Sequence, residues 1–247
     1  MWHRWTTEWR LAVGPASMSL QAMRRGRALG PAAIEPTPIA GLDALAPALA
    51  EAVRAQRAAD ASLRTVNRLR VSVDDGLFAW LRLEGPFWRI DAAQTESLAA
   101  ARAADLLGVA PGELAVACAT QSDGRTLIAS AIDAAWPRAI TAAAVASGLA
   151  LVGLRPAWSA RLAQLRVPGR DALVARRDAG AVRWAVRRAG AWVAIGSEPL
   201  DESGTDWPRR LDALVRGQLA GIGDLPCWFD GAPEAAPSGW RVLETVR

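Results

Sequence analysis

A short polar hairpin near the amino terminus has residue types that can hold a phosphate group. The stretch LAVGPASMSLQAM, residues 11–23, predicts a strand, a tight Gly-Pro corner and a returning strand. Gly14 stands at this corner, and Ser17 and Ser19 bring two hydroxyl groups to the returning strand. Because hydroxyl groups donate hydrogen bonds to anionic oxygens, these three residues are candidates for binding a nucleotide phosphate.

Acidic residues at predicted strand ends are the next candidates. Asp74 and Asp75 can be paired acids, but with Gly76 they also form a common type of turn, which is the interpretation that we favour. Asp133 ends the predicted strand TLIASAID. Its carboxylate can be part of a functional site there, or it can cap the helix that we expect to begin at Ala134.

Several common catalytic groups are missing or isolated. The chain has no lysine and no tyrosine, so all 29 basic residues are arginines, and lysine-based phosphate binding and Schiff-base chemistry are excluded. His3 is the only histidine, and Cys118 and Cys227 match neither zinc nor redox spacing. We therefore expect no nucleophilic triad, no metal centre and two buried thiols in a reducing compartment.

Composition and charge predict a globular cytoplasmic protein. The 247 residues, 51% of them hydrophobic, can form one large domain or two small ones, and the 12 tryptophans are distributed as core or half-buried residues would be. No stretch reads as a signal peptide or as a membrane span. A net charge of +4 is compatible with nucleic-acid binding, but the arginines alternate with apolar residues and do not cluster, so we expect no nucleic-acid partner.

The order of the predicted elements is repeated within the chain. Strands over 8–34 are followed by a helix over 41–60 and a strand at 68–73. In the second half, a meander over 171–198 is followed by a helix over 206–217 and short strands near the carboxyl terminus. Strands and helices between these two sets are predicted at 77–83, 95–107, 113–120, 125–133, 135–147 and 149–156. We expect Asp43 to cap the helix over 41–60, and Thr95 and Gly108 to mark the start and the end of the helix over 95–107.

Two such meanders, each followed by a helix and a strand, resemble the actin-like, or ribonuclease-H-like, ATPase architecture. The chain is most similar to the cytoplasmic actin-like proteins of type IV pilus and type II secretion assembly platforms, the PilM and GspL type. Four stretches carry this resemblance: LAVGPASMSLQAM, RVSVDDGLFAWLRL, SLAAARAADLLGVAPGELAVACATQSDGRTLIASAIDAAW and AITAAAVASGLALVGLRPAWSARL. It implies a two-lobed α/β fold, with residues 1–167 as a first lobe containing an inserted strand-helix-strands subdomain and residues 168–247 as a reduced second lobe.

The first hairpin departs from the pattern of nucleotide-binding members, which carry an acidic residue two places before the glycine. Here Ala12 stands at that place, and alanine cannot organise a hydrated magnesium ion. The equivalent turn of the second half offers Asp178, and strand ends in this fold face the cleft, where Asp133 would lie. The resemblance implies a hairpin that has kept its shape and lost its metal chemistry. The cofactor-binding candidates, which apply only if a nucleotide is bound, are Gly14, Ser17, Ser19, Asp133 and Asp178.

The resemblance implies a non-catalytic scaffold, without an enzymatic activity and without a cofactor. Its partners would be a membrane-anchored platform protein, bound through a short cytoplasmic peptide, and the motor ATPase, and these would hold the chain at the inner membrane. One alternative is a nucleotide-binding ATPase of the same fold with a non-standard magnesium site that uses ATP. A second alternative is a nucleic-acid-binding regulator.

Overall fold

The computed structural model describes residues 7–14, 17–24, 27–35, 42–178, 180–200, 206–219 and 224–243. The α-helices are α1 Leu45–Ala59, α2 Ala92–Leu107, α3 Ala135–Ala146, α4 Ala157–Leu162 and α5 Trp207–Gln218. The strands are β1 Thr7–Val13, β2 Met18–Arg24, β3 Arg27–Ala28, β4 Ala33–Glu35, β5 Arg68–Val73, β6 Ala79–Glu84, β7 Leu114–Thr120, β8 Thr126–Asp133, β9 Ala150–Pro156, β10 Ala172–Arg177, β11 Ala181–Arg188, β12 Ala191–Pro199, β13 Cys227–Phe229 and β14 Arg241–Val242. Among the described residues, no helix has both the length and the apolarity that crossing a membrane requires.

Two sheets with the same strand order confirm the predicted internal repeat. The first sheet has the order β3-β2-β1-β5-β9, with β4 also paired to β2, and the second has the order β12-β11-β10-β13-β14. In each sheet the first three strands form an antiparallel meander, and a later strand runs parallel to the first strand of that meander. A fifth strand continues the parallel part.

The first sheet packs one face against α1 and α3. Its strands alternate apolar and polar residues, so every second side chain points to the same side and enters the core. Trp9 is fully buried there, and its indole N–H donates to the carbonyl of Val66 at 3.0 Å, which satisfies the one polar atom of the ring. The buried residues of this core include Leu11, Val13, Leu20, Leu49, Val53, Leu69, Val71, Val73 and Ile140.

The second sheet packs against α5 through an aromatic cluster. The ring of Trp207, in the first turn of α5, lies 6.2 Å from the ring of Phe229 and 5.4 Å from that of Trp240. Leu211 and Val215 follow Trp207 at helical spacing and are buried in the same core. One amphipathic helix therefore closes this sheet in the way that α1 and α3 close the first.

A third sheet, with the order β6-β8-β7, forms most of the predicted insertion together with α2. The predicted cap of α2 at Thr95 is wrong, because the helix begins one turn earlier. Asp91 accepts a hydrogen bond from the Gln94 backbone N–H at 2.8 Å, and the Gln94 side chain accepts one from the Asp91 N–H at 3.1 Å. This reciprocal pair satisfies the amino-terminal donors and leaves Thr95 inside the helix.

The chain divides into two compact units. The first unit comprises 1–78, 108–115 and 132–161, and the second comprises 79–107, 116–131 and 162–247. Most of the inserted strands and helix, which the predicted division places with residues 1–167, thus belong to the second unit. The predicted lobe boundary itself stays a prediction.

Candidate functional site

The amino-terminal hairpin has the predicted shape. β1 and β2 pair in antiparallel register with Ala12 opposite Ser19, and the Gly14 N–H donates to the Ser17 carbonyl at 2.8 Å, which closes the turn. The two residues between them, 15 and 16, lie outside the described residues. Ala12 is exposed on the face turned away from the helices. Position 12, where the resemblance leads us to expect an acid in a nucleotide-binding protein, is therefore exposed and is occupied by a methyl group.

Positive charge is concentrated on this same face of the first sheet. We define the arginine face as the side chains of Glu8, Arg10, Arg70 and Arg155. Arg10 and Arg70 are neighbours across the β1–β5 pairing, and their Nε atoms lie 3.2 Å and 3.5 Å from the two carboxylate oxygens of Glu8. Burial lowers the pKa of Arg155, and the charges of Arg70 and Arg10 lower it further against the opposing effect of Glu8. One carboxylate thus neutralises only part of the charge of three arginines.

Replacing this carboxylate tests the cluster. Because the side chain of Glu8 is only 14% exposed, we expect Glu8→Gln to lower the free energy of unfolding by about 1 to 2 kcal/mol in dilute buffer. The loss should shrink in high salt, which screens the repulsion between the arginines. Glu51→Gln is the matched control, since Glu51 also pairs with an arginine but is exposed. Urea titrations at low and high salt measure both, and equal losses in the two variants would contradict the expectation.

Asp178 is held by arginines. Its Oδ1 accepts from Nε of Arg176 at 3.1 Å, and its Oδ2 pairs with Nη1 of Arg183. Arg176 also reaches the buried carboxylate of Asp230, with Nη1 to Oδ2 at 3.5 Å. Since both oxygens of Asp178 are bonded to guanidinium groups, this cofactor-binding candidate is an ion-pair partner in the structure.

Asp133 serves the start of α3. Its carboxylate is exposed, and Oδ1 accepts from the backbone N–H of Ala135, the first residue of the helix, at 2.7 Å. The helix-capping interpretation of Asp133 is therefore the one that the contacts support. Within the described residues no group of three or more His, Cys, Asp or Glu side chains is arranged to hold a metal ion, and His3 lies outside them.

Buried acids follow β5 and β13, the strands that run parallel to the first strand of each meander. The sequence analysis did not name Asp230, and it favoured a turn role for Asp75. The backbone N–H groups of Asp74 and Asp230 extend the parallel pairing in the same way, donating to the carbonyls of Val13 and Ala175 at 2.8 and 2.9 Å. Asp230 itself is buried in the second unit, and in the first unit the buried acid is Asp75. The common pattern of an apolar strand, Asp and Gly, in VSVDDG and CWFDG, is the sequence signal that could have identified them.

Neither cysteine has the environment of a reactive thiol. Burial raises the pKa of the Cys118 thiol, and the charge of Glu96 adds to the effect. Burial also raises the pKa of Cys227, with a further increase from Asp212 that Arg216 partly opposes. Because the nucleophile is the thiolate, both groups are less reactive at neutral pH than an ordinary cysteine. They are half-buried and unlinked, which is less buried than the sequence predicted.

A cavity of about 620 Å³ lies within the second unit, at residues that were not predicted as site residues from the sequence. Its wall includes Trp88, which is 56% exposed although the spread of tryptophans predicted a core or half-buried position. Arg125 lies beside this ring, and Val193 and Leu219 contribute apolar wall. The volume is in the range of sites that bind small molecules or a few residues of peptide.

Both sheets share one arrangement, an antiparallel meander whose first strand pairs with the first of two parallel strands, and this arrangement can be compared with that of known proteins. No family model and no curated protein matches the chain. Solved structures do match it. The cytoplasmic domain of EpsL, an inner membrane component of the type II secretion system of Vibrio cholerae, superposes with a TM-score of 0.62 at 15% identity, covering 98% of this chain and 91% of that one.

Two further solved structures match the chain. The PilM-PilN type IV pilus biogenesis complex matches with a TM-score of 0.56 at 17% identity, covering 86% of this chain and 66% of that one. A Bacteroides thetaiotaomicron protein with an actin-like ATPase fold and unknown function gives 0.57 at 9% identity, covering 94% and 84%. The chain has an actin-like fold. The predicted α/β actin-like fold class is confirmed, and the actin-like hairpin of this chain carries Ala12 and Ser19.

Proposed function

We propose that this chain is a non-catalytic scaffold of a type II secretion or type IV pilus assembly platform. It binds the cytoplasmic tail of a membrane-anchored platform protein and thereby associates with the inner membrane, and the motor ATPase is its second partner. The observation that carries the proposal is the likeness to the EpsL cytoplasmic domain, which extends over nearly the whole of both chains. The likeness to the PilM-PilN complex supports a protein partner as the ligand.

The contacts of the candidate acids support a role without metal-dependent catalysis. Asp178 is bonded to two arginines, Asp133 bonds the start of α3, and position 12 is alanine. A magnesium nucleotide is held in proteins through carboxylates and phosphate oxygens together. These carboxylates are used for structure, which fits a fold retained for binding a partner.

A bacterial two-hybrid assay tests the scaffold. The full chain is paired in turn with the cytoplasmic segment of each bitopic membrane protein of the pilus and type II secretion machines in the source bacterium, and with the motor ATPase. We expect one membrane-protein tail to interact, and the interaction to be lost when that tail is scrambled. If none of the tails interacts while a known pair from the same machines gives its signal, the proposed function is wrong.

A second candidate function is nucleotide binding, which the arginine face favours because Arg10 and Arg70 lie on the same side of the sheet as Ser19. Guanidinium groups bind phosphate oxygens without a metal ion. This candidate predicts that Arg10→Ala and Arg70→Ala weaken the binding of ATP in the presence of EDTA. Isothermal titration of the wild type without magnesium distinguishes the two, since a scaffold gives no heat of nucleotide binding.

A further inference from the structure

The most unusual surface feature of the second unit is an exposed tryptophan on a rigid support. Trp88 follows β6 in a short 3-10 turn, and its neighbour Phe87 is buried and anchors that turn. The indole rests on Gly124 of the β7–β8 turn. Gly124 has a φ of +67°, and a methyl group there would lie 3.2 Å from Cε3 of Trp88. Glycine is thus required twice, for the backbone conformation and for the close approach of the ring.

Two guanidinium groups flank the same ring. The Cζ atoms of Arg125 and Arg89 lie 5.7 Å and 6.0 Å from the centre of the Trp88 indole, within the range of cation–π attraction. Arg125 is in none of the salt bridges of the described part of the chain, although its charge helps to lower the pKa of the neighbouring Asp123. Tryptophan and arginine are among the residue types that dominate binding energy at protein interfaces.

The charges around the cavity select an acidic ligand with limited charge. Arg82, Arg125 and Arg188 line the cavity, together with Glu84 and Asp123. Glu84 pairs with Arg82, and Arg188 pairs with Asp171, which is not part of the wall. Burial alone would raise the pKa of the Asp123 carboxyl, but hydrogen bonds from Thr126 and Arg125, together with the charge of Arg125, outweigh burial and hold the pKa below its usual range. Asp123 is therefore ionised and already bonded to its own turn, with Thr126 Oγ1 donating to Oδ2 at 2.7 Å.

We propose that this cavity binds a short segment of a protein partner in which an acidic side chain lies next to an apolar one. The acidic side chain pairs with Arg125, and the apolar side chain packs on the face of Trp88 and against Val193 and Leu219. This inference rests on the proposed scaffold function and assigns it a docking site for the partner's tail. Because the Trp88 platform is preformed, little ordering accompanies binding.

A polyanionic ligand fits the same cavity less well. Nucleic acids and polyphosphates carry a negative charge on every unit, and the two carboxylates of the wall, Glu84 and Asp123, would repel them. A ligand with a single carboxylate beside an apolar group can pair with Arg125 and pack on Trp88, and it is repelled less by those two acids. Charge and polarity together favour a peptide of mixed composition.

Peptides of defined composition test the site directly. A fluorescein-labelled peptide with one glutamate next to one leucine, flanked by glycine and serine, is titrated with the full chain and followed by fluorescence anisotropy. The same peptide with arginine in place of the glutamate and a single-stranded oligonucleotide are titrated beside it. We expect the acidic peptide to bind and the other two to bind at least about tenfold more weakly. Trp88→Ala and Arg125→Glu should each weaken the acidic peptide by about tenfold or more.

Arg209→Glu is the matched control, because this substitution changes the net charge by the same amount as Arg125→Glu. Arg209 is 90% exposed on α5 and does not contribute to the cavity wall. Unchanged melting temperatures verify that the variants fold. Equal affinity of wild type, Trp88→Ala and Arg125→Glu for the acidic peptide would overturn the site, as would tighter binding of the oligonucleotide.

The bacterial two-hybrid assay, repeated with Trp88→Ala and Arg125→Glu, tests this site and the scaffold function separately. If the tail interacts with the wild type and equally well with both cavity variants, the site is wrong and the scaffold function stands. If no tail interacts with the wild type, the scaffold function is wrong, and the peptide titration still decides whether the cavity binds acidic segments.

Discussion

Asp75→Ala is expected to lower the free energy of unfolding by about 3 kcal/mol, since it leaves a buried donor without its charged acceptor. Asp75 is 1% exposed, and its two carboxylate oxygens accept from the backbone N–H of Trp158 at 2.8 and 3.1 Å. These bonds join the turn after β5 to the first turn of α4 across 83 positions of sequence. Trp158 is itself buried, so water cannot replace the lost acceptor.

Urea unfolding followed by circular dichroism measures the loss. Asp75→Asn keeps one oxygen acceptor and should lose less, about half as much. Asp133→Ala removes an exposed carboxylate that bonds a helix N–H, and we expect about 1 kcal/mol for it. If Asp75→Ala costs no more than Asp133→Ala, the buried bond to Trp158 is not a main support of the first unit.

Gly196→Ala is the second change for which we expect a large effect. Gly196 of β12 lies directly opposite Trp184 of β11, and a methyl group at position 196 would lie 2.5 Å from Cζ2 of that indole. Trp184 is buried in the core beneath α5 and has little room to move. We expect a loss of about 3 kcal/mol, at the upper end of the cost of overpacking a core.

A compensating change and a control make this expectation specific. In the Gly196→Ala background, Trp184→Leu should recover part of the stability, because a smaller side chain removes the clash. Gly217→Ala, in α5 with open space around it, should instead raise stability by about 0.5 to 1 kcal/mol. Thermal melts of the four proteins test this, and a Gly196→Ala melt that matches the wild type would contradict the packing described here.

The internal repeat could be predicted because its strands and turns have local sequence patterns, namely alternating apolar residues and turn-forming glycines. Strands such as β5, RLRVSV, alternate buried and half-buried residues along their whole length, and the predicted bounds 68–73 agree with the structure. Glycines at turns gave correct ends as well, as at Gly108 after α2, which has a φ of +66°. The order of strands and helices then sufficed to predict the actin-like fold without any strict motif.

Helix starts were predicted less well. Asp43 was the expected cap of the first helix, but it lies in a 3-10 turn, and α1 begins at Leu45 with no side-chain cap. In α2, Asp91 and not the expected Thr95 bonds the free backbone N–H at the start of the helix. Several polar residues near a helix start can each serve as the cap, and only the packing of the preceding turn selects one of them.

Some contacts of the buried acids are distant in sequence. The two arginines that bind Asp178 lie only two and five positions from it, but the Asp230 carboxylate that shares Arg176 is 54 positions away from that arginine. Asp75 reads as an exposed turn residue beside Asp74 and Gly76, and its burial follows from α4, which the sequence analysis did not predict. Local pattern predicts the turn but not what packs on it.

Thermal unfolding of the full chain with millimolar ATP and magnesium tests whether the actin-like hairpin holds a metal-bound nucleotide. We expect a melting temperature within about 1 °C of the value without nucleotide, because a ligand that does not bind the native state cannot stabilise it. A ligand present at a hundred times its dissociation constant would add about 2.7 kcal/mol, or several degrees. A rise of that size that EDTA reverses would mean that the hairpin still holds a metal-bound nucleotide, and our proposal that its metal chemistry is lost would be wrong.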